Sequence, residues 1–280
     1  MNALEITNLK KSYKDFTLDS INLVLPSGSI LGLIGENGAG KSTVIKLILG
    51  MIRKEEGTIK IFGKENTHDL SLLKEDLGVV LDEIGYPECI TPKLLNNILK
   101  NTYQRWDEDL YFKYIDTFSL PQKKLFKDFS RGMKMKLGIA AALSHHPKLL
   151  ILDEATSGLD PVIRDDVVDI LYEFTRSEDH SILISSHIVS DLEKLCDYIA
   201  FLHKGKLLLC DEKDALLERY GMIHCSQEEL KLLRSSAILG KKSSAYGVEA
   251  IVERAKLPAG SSPSPIGIEE LFIYMIKEGK

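Results

Sequence analysis

Nine residues, Gly-Glu-Asn-Gly-Ala-Gly-Lys-Ser-Thr from Gly35 to Thr43, limit what this chain can fold into more than any other stretch. The apolar run Ile30-Leu31-Gly32-Leu33-Ile34 stands directly before them, and Val44-Ile45-Lys46-Leu47-Ile48-Leu49 directly after. That order predicts a strand, a glycine-rich turn and a helix, with GxxxxGK[ST] spelled by Gly35, Gly40, Lys41 and Ser42. Glycines let successive backbone N–H groups converge on phosphate oxygens, and the following helix adds the positive end of its dipole. Lys41 is then placed to reach the β- and γ-phosphates and the Ser42 hydroxyl to ligate Mg²⁺. A glycine-rich loop arising by accident would not bring both flanking elements with it. Gly35, Glu36, Asn37, Gly38, Ala39, Gly40, Lys41, Ser42 and Thr43 are therefore predicted to hold the phosphates of a nucleotide.

A chain of 280 residues has room for one large domain, or one domain with a small appendage. Hydrophobic residues at 44% and charged residues at 28% place it with globular proteins, and a net charge of −5 argues against a general nucleic-acid binder. Cys89, Cys196, Cys210 and Cys225 show no metal-ligand or CxxC spacing, and the first residues lack the apolar centre of a signal peptide. Both features favour a reducing cytosolic setting. The apolar runs fall well short of the ~20 residues that span a bilayer, so any membrane part is expected on another chain.

Along the chain, residues 3–25 alternate through Leu4, Ile6, Leu9, Phe16, Leu18, Ile21, Leu23 and Leu25, which predicts an antiparallel patch. Gly50 is positioned to end the first helix, and 57–63 predicts another short strand followed by a polar helical stretch up to Asp76. Continuous apolar runs at 77–81, 148–152 and 181–185 predict buried strands, ending at Asp82-Glu83, Asp153-Glu154 and Ser186-His187. Between the first two, residues 84–144 carry helical spacing only, which predicts an inserted helical subdomain. Ile163, Val167, Ile170, Leu171 and Phe174 mark one face of a helix, and 198–210 reads as a hairpin. Past residue 213 the expectation is a helix at 226–233, a hairpin pattern within 238–253, a Pro/Ser/Gly linker at 258–265 and a last amphipathic helix at 268–277. Strands alternating with helices predict a mostly parallel α/β sheet whose functional residues gather at strand C-terminal ends.

Asp153 is expected to hold the Mg²⁺ hydration shell opposite Ser42, and Glu154 to orient or polarise the attacking water. In the order and spacing of these motifs the sequence resembles the ATP-binding-cassette ATPases over roughly residues 3–210. Phe129–Lys136 stands where that family carries its signature motif, keeping Ser130 and Gly132. Arg131 replaces a second glycine and Met133 a glutamine, a form similar to antibiotic- and peptide-exporter ATPases. Ser157-Gly158-Leu159-Asp160 resembles the dimer-contact loop, His187 matches the switch histidine, and Tyr13 matches the aromatic that stacks on adenine.

The resemblance implies a P-loop NTPase fold with a mostly parallel sheet, an antiparallel β patch, the helical insertion and a small C-terminal α+β extension. It implies an ATPase domain over 1–212, with the helical subdomain at about 84–144, and an accessory region over 213–280. ATP and Mg²⁺ are the implied cofactors, with Ser42, Asp82 and Asp153 on the metal and Glu154, His187 and Lys41 at the chemistry. The implied partners are a second cassette, whose γ-phosphate Ser130 and Gly132 would contact, and a permease on a separate chain at the inner face of the cell membrane. One departure is plain: the family's strand-end glutamine reads Asp82, with Glu83 one position on, and a carboxylate cannot donate a hydrogen bond as an amide can. The competing expectation, a cassette ATPase of DNA maintenance or translation, calls for heptad arms or two cassettes with a basic linker, which these residues do not show. A GTPase would carry an Asn-Lys-x-Asp motif, which is likewise missing.

Overall fold

In the computed structural model, which describes residues 1–66, 73–157, 159–244, 247–258 and 260–278, the alternating N-terminal residues form the antiparallel strands β1 (Asn2–Ser12) and β2 (Thr17–Pro26). Leu4, Ile6, Leu18, Ile21, Leu23 and Leu25 all point into the core. The step from Ile6 to Leu9 breaks the period because the strand bulges there, with Asn8 at φ +49° and its N–H bonded to Asn22 Oδ1 at 2.9 Å. Next come β3 (Ile30–Ile34), α1 (Lys41–Ile48), β4 (Glu56–Ile61) and β5 (Lys64–Glu65), and sheet order β2-β1-β4-β5 completes the antiparallel patch. Gly50, at φ +65°, closes α1: its N–H reaches Leu47 O at 3.1 Å and the Met51 N–H reaches Lys46 O at 2.9 Å.

The strand β6 (Leu77–Val80) leads into the helices α2 (Pro92–Lys100), α3 (Glu108–Thr117) and α4 (Arg131–Leu143), the expected helical insertion. Thr91 and Asp107 cap α2 and α3, and the fully buried Tyr111 donates its hydroxyl to Pro92 O at 2.9 Å, pinning the two helices together. From their place before Pro147 at a helix end, His145 and His146 are expected to be capping and surface residues, and His145 departs from that. It is buried, stacks on Tyr103 with ring centroids 4.0 Å apart, and sets Nε2 3.0 Å from Leu77 O.

The chain returns through β7 (Leu149–Asp153), α5 (Pro161–Phe174), β8 (Ser181–Ser186), α6 (Val189–Leu195), β9 (Tyr198–His203) and β10 (Lys206–Glu212). The central sheet runs β10-β9-β3-β8-β7-β6, with every neighbouring pair parallel except the β9/β10 hairpin. Every residue of β3, β7 and β8 is buried, which is why their apolar residues run on without alternation. Within that pleat, Leu31 and Leu33 join α1 and the antiparallel patch on one face. Ile30 and Ile34 join α4, α5 and α6 on the other.

The last segment holds α7 (Lys213–Arg219), β11 (Tyr220–Cys225), α8 (Gln227–Leu232), β12 (Ile238–Ser244), β13 (Gly247–Glu253) and α9 (Ile268–Glu278), with sheet order β11-β13-β12. The expected helix, hairpin and final helix are present, while α7 and β11 are additional. In β11 the buried residues Gly221 and Met222 are adjacent, so no period of two marks it. Phe272 of α9 packs on Phe201 of β9 with centroids 5.0 Å apart, joining this segment to the core around α6. The polar stretch at 67–72, Ala245 and Tyr246 of the expected hairpin pattern, and Ala259 of the expected linker lie outside the described residues.

Candidate functional site

At the C-terminal end of β3 the chain turns through Gly35–Gly40 into α1, as the motif predicts. Ala39 N–H donates to Glu36 O at 3.0 Å, and Gly38 adopts φ +81°. A Cβ at Gly38 would meet nothing within 4 Å, so the backbone there faces open space. Gly40 is different: at φ +112° a Cβ would lie 2.7 Å from Phe16 Cζ, so only glycine fits without displacement. Because Gly40 is the N-cap, no side chain caps α1 and no acid occupies its first turn. No side chain therefore takes up the first-turn N–H groups, which leaves them available to an anion.

Lys41 is 6% exposed, and its Nζ donates to Gly35 O at 2.8 Å and lies 3.1 Å from Glu154 Oε1. The other carboxylate oxygen of Glu154, Oε2, is 2.7 Å from His187 Nδ1. Glu154 thus bridges the phosphate-loop lysine and the histidine at the end of β8. Its backbone stands at φ +53°, a left-handed conformation that costs a non-glycine residue about 1–3 kcal/mol and persists only where the surroundings enforce it. The enforcement comes from β8: Glu154 N–H donates to Ser185 O at 3.1 Å, and Ser185 Oγ lies 3.2 Å from the same nitrogen. That hydroxyl also donates to Asp153 Oδ1 at 2.5 Å, fixing the buried Asp153 carboxylate. Ser185 was missed by sequence reasoning, although a hydroxyl two residues before His187 at a strand end was a readable signal.

The other anticipated residues sit on helix starts and loops. Ser130 is the N-cap of α4, where its Oγ accepts from Met133 N–H at 3.3 Å, and Gly132 follows in the first turn. Asp160 caps α5 by accepting from Ile163 N–H at 3.0 Å, with Pro161 opening the helix; Gly158 lies outside the described residues. Tyr13 is 48% exposed in the β1–β2 turn, and the same turn supplies Phe16, whose ring packs against Gly40. Lys11 Nζ lies 5.6 Å from the centroid of the Tyr13 ring. Glu36 and Asn37 are exposed, Ala39 is buried, and Ser42 and Thr43 are half-buried.

Asp82, in the exposed loop after β6, pairs through Oδ1 with Arg131 Nη2 at 2.6 Å. Two of the positions where the chain leaves the family pattern therefore touch each other, and a guanidinium competes with any metal for this carboxylate. They line a cavity of about 400 Å³ with Glu83, Ile84, Lys134 and Met135. Among the described residues no three His, Cys, Asp or Glu side chains form a metal cluster. A hard cation that keeps waters and phosphate oxygens needs only one or two protein ligands, and Ser42 and Asp153 match that donor set.

A family model described as ABC transporter matches residues 18–157. The lantibiotic transport ATP-binding protein SrtF of Streptococcus pyogenes is 40% identical over 229 residues, covering 75% of this chain and 91% of that protein. The bacitracin transport ATP-binding protein BcrA of Enterococcus faecalis is 35% identical over 209 residues, covering 74% of this chain and 68% of that protein. A solved structure of an ATP-binding subunit of an ABC transporter superposes with a TM-score of 0.69 at 28% identity, covering 76% of this chain and 91% of its own. On the fold, the phosphate loop and these likenesses together, the chain belongs to the ABC transporter family and is one of its ATP-binding, ATP-hydrolysing cassettes.

Proposed function

We propose that this cassette drives an exporter of antibiotic or peptide cargo whose permease is a separate chain, and that it works by pairing with a second cassette around ATP and Mg²⁺. The observation that carries the chemistry is the bridge of Glu154 between Lys41 and His187. The names of the relatives, lantibiotic and bacitracin transport proteins, support the cargo class. Among the described residues no helix is long and apolar enough to cross a membrane, which fits a permease on another chain and a place at the inner membrane face. The ATPase domain is assigned to 1–212 and an accessory region to 213–280.

The phosphates bind on the first-turn N–H groups of α1, and Lys41 exchanges Glu154 Oε1 for phosphate oxygen. Glu154, still held at Oε2 by His187, is then free to accept a proton from water. The water oxygen bonds to the γ-phosphorus as the bond to the β-phosphate oxygen breaks, giving ADP and phosphate. Ser42 and Asp153 would hold Mg²⁺, which would supply charge neutralisation at the phosphates, and Ser185 keeps the Asp153 carboxylate in place. Ser130 and Gly132 offer their hydroxyl and N–H groups to the γ-phosphate on the second cassette, and Tyr13 stacks on adenine.

The reading is tested with Glu154→Gln, which keeps the shape and removes the proton acceptor. The expected result is an ATP-dependent dimer by size-exclusion chromatography with hydrolysis nearly abolished. A variant that stays monomeric with ATP, or hydrolyses it at the wild-type rate, would sink the proposal.

A further inference from the structure

Buried polar atoms without partners are rare in folded proteins and call for a physical account. Three such atoms, Thr156 Oγ1, Arg164 Nε and Asp191 Oδ2, lie on the loop after Glu154 and on the two helices that follow the site. Arg164, on the first turns of α5, sets Nη1 3.5 Å from Asp191 Oδ1 and Nη2 3.4 Å from the carbonyl oxygen of Leu159. Asp191 stands on α6, the helix that begins just after His187, with its side chain 11% exposed. Arg164 therefore grips the loop leading away from Glu154 with one nitrogen and the helix leading away from His187 with another.

The grip is half made. A guanidinium offers a planar fork that matches both oxygens of a carboxylate, yet only one long contact joins this pair. Nε shares an edge of the guanidinium with Nη2, so a forked arrangement would bring Nε to the unpaired Oδ2 and Nη2 to the other carboxylate oxygen, the second Nη2 hydrogen still reaching Leu159 O. We propose that Arg164 and Asp191 are positioning residues for ATP hydrolysis: their closure into a bidentate pair fixes the Leu159 loop against α6 and so sets Glu154 and His187 relative to the γ-phosphate. This rests on the assignment of Glu154 as proton acceptor. The pair acts on the rate of the chemical step rather than on nucleotide binding, because neither residue is part of the phosphate loop.

The test is a double-mutant cycle on ATP turnover with Arg164→Ala, Asp191→Asn, their combination and Arg164→Lys. The expected result is a fall in kcat of about tenfold for each single variant, the scale of one charged hydrogen bond, with KM for ATP changed less than about twofold. The double variant falls no further than the singles, since they act as one unit. Arg164→Lys keeps the charge and the fold without the fork, and recovers only part of the rate. A cycle in which kcat is unchanged and only thermal stability falls, or in which the two effects multiply independently, overturns the proposal. A wild-type protein without ATP turnover would instead refute the assignment of Glu154 and this inference together.

Discussion

Replacing Glu154 by Gln has a consequence for stability that can be sized from the geometry around Lys41. The ammonium is 6% exposed and lies 3.1 Å from Glu154 Oε1, with the carbonyl oxygens of Gly35 at 2.8 Å and Glu36 at 3.4 Å as its other partners. Stranding a buried charge costs about 3–5 kcal/mol, whereas losing an ordinary hydrogen bond costs about 0.5–1.5 kcal/mol. A glutamine oxygen still accepts from Nζ and the carbonyls stay, so the loss falls between these, at ~2 kcal/mol. For a chain of this size that lowers Tm by roughly 4–8 °C. On the proposed mechanism ADP would bring a β-phosphate to Lys41 and replace the missing charge, without the γ-phosphate proposed to close the cassette pair. Thermal denaturation with and without saturating ADP should then show the variant below wild type alone, and a larger ADP-induced rise in the variant by the same margin. Equal Tm values and equal ADP shifts would refute the idea that Lys41 is held by Glu154 until phosphate arrives.

Two further predictions concern other elements. Burial lowers the pKa of His145 below its ordinary 6.5, so the folded protein resists the proton that the unfolded chain accepts. Its contribution is complete above pH 6.5 and is lost as pH falls toward the lowered value. Urea midpoints measured between about pH 7.5 and 5.5 should drop more steeply for wild type than for His145→Phe, and parallel curves would count against it. Asp82→Ala releases Arg131 from its 2.6 Å partner in an exposed pair worth about 0.2–1 kcal/mol, so ATP affinity should change little. Mg²⁺-dependent turnover decides whether the carboxylate also serves the metal: an unchanged rate across a Mg²⁺ titration removes it from that role.

The phosphate loop was readable because its requirements are local: a strand, glycines, a lysine and a helix within twenty residues of sequence. The same holds for the carboxylates and histidine, since each follows an apolar strand whose end marks the functional edge of a parallel sheet. What could not be read depends on residues brought together from far apart. Asp82 and Arg131 are 49 positions apart, so two departures from a family pattern looked independent until the fold joined them. Ser185 serves Asp153 and Glu154 from a neighbouring strand, a relation set by the register of β7 on β8. His145 looked like surface because it stands beside His146 and Pro147 at a helix end, while in the fold it stacks on Tyr103 and meets Leu77 O of β6, both distant in sequence. Strand β11 carries no alternation: at the edge of its sheet two adjacent residues, Gly221 and Met222, are both buried, and Arg254 donates to Tyr220 O at 2.9 Å beside them.

The reversed backbone at Glu154 reaches beyond catalysis into what mutation can offer. Its φ of +53° is open to glycine, tolerable for asparagine, aspartate and unbranched side chains, and an outlier for valine, isoleucine and threonine. A chain drifting through sequence space meets this backbone restriction before any test of ATP turnover. Part of the narrowness at this position is therefore a property of the sheet edge, and it would remain in a descendant that had given up hydrolysis altogether.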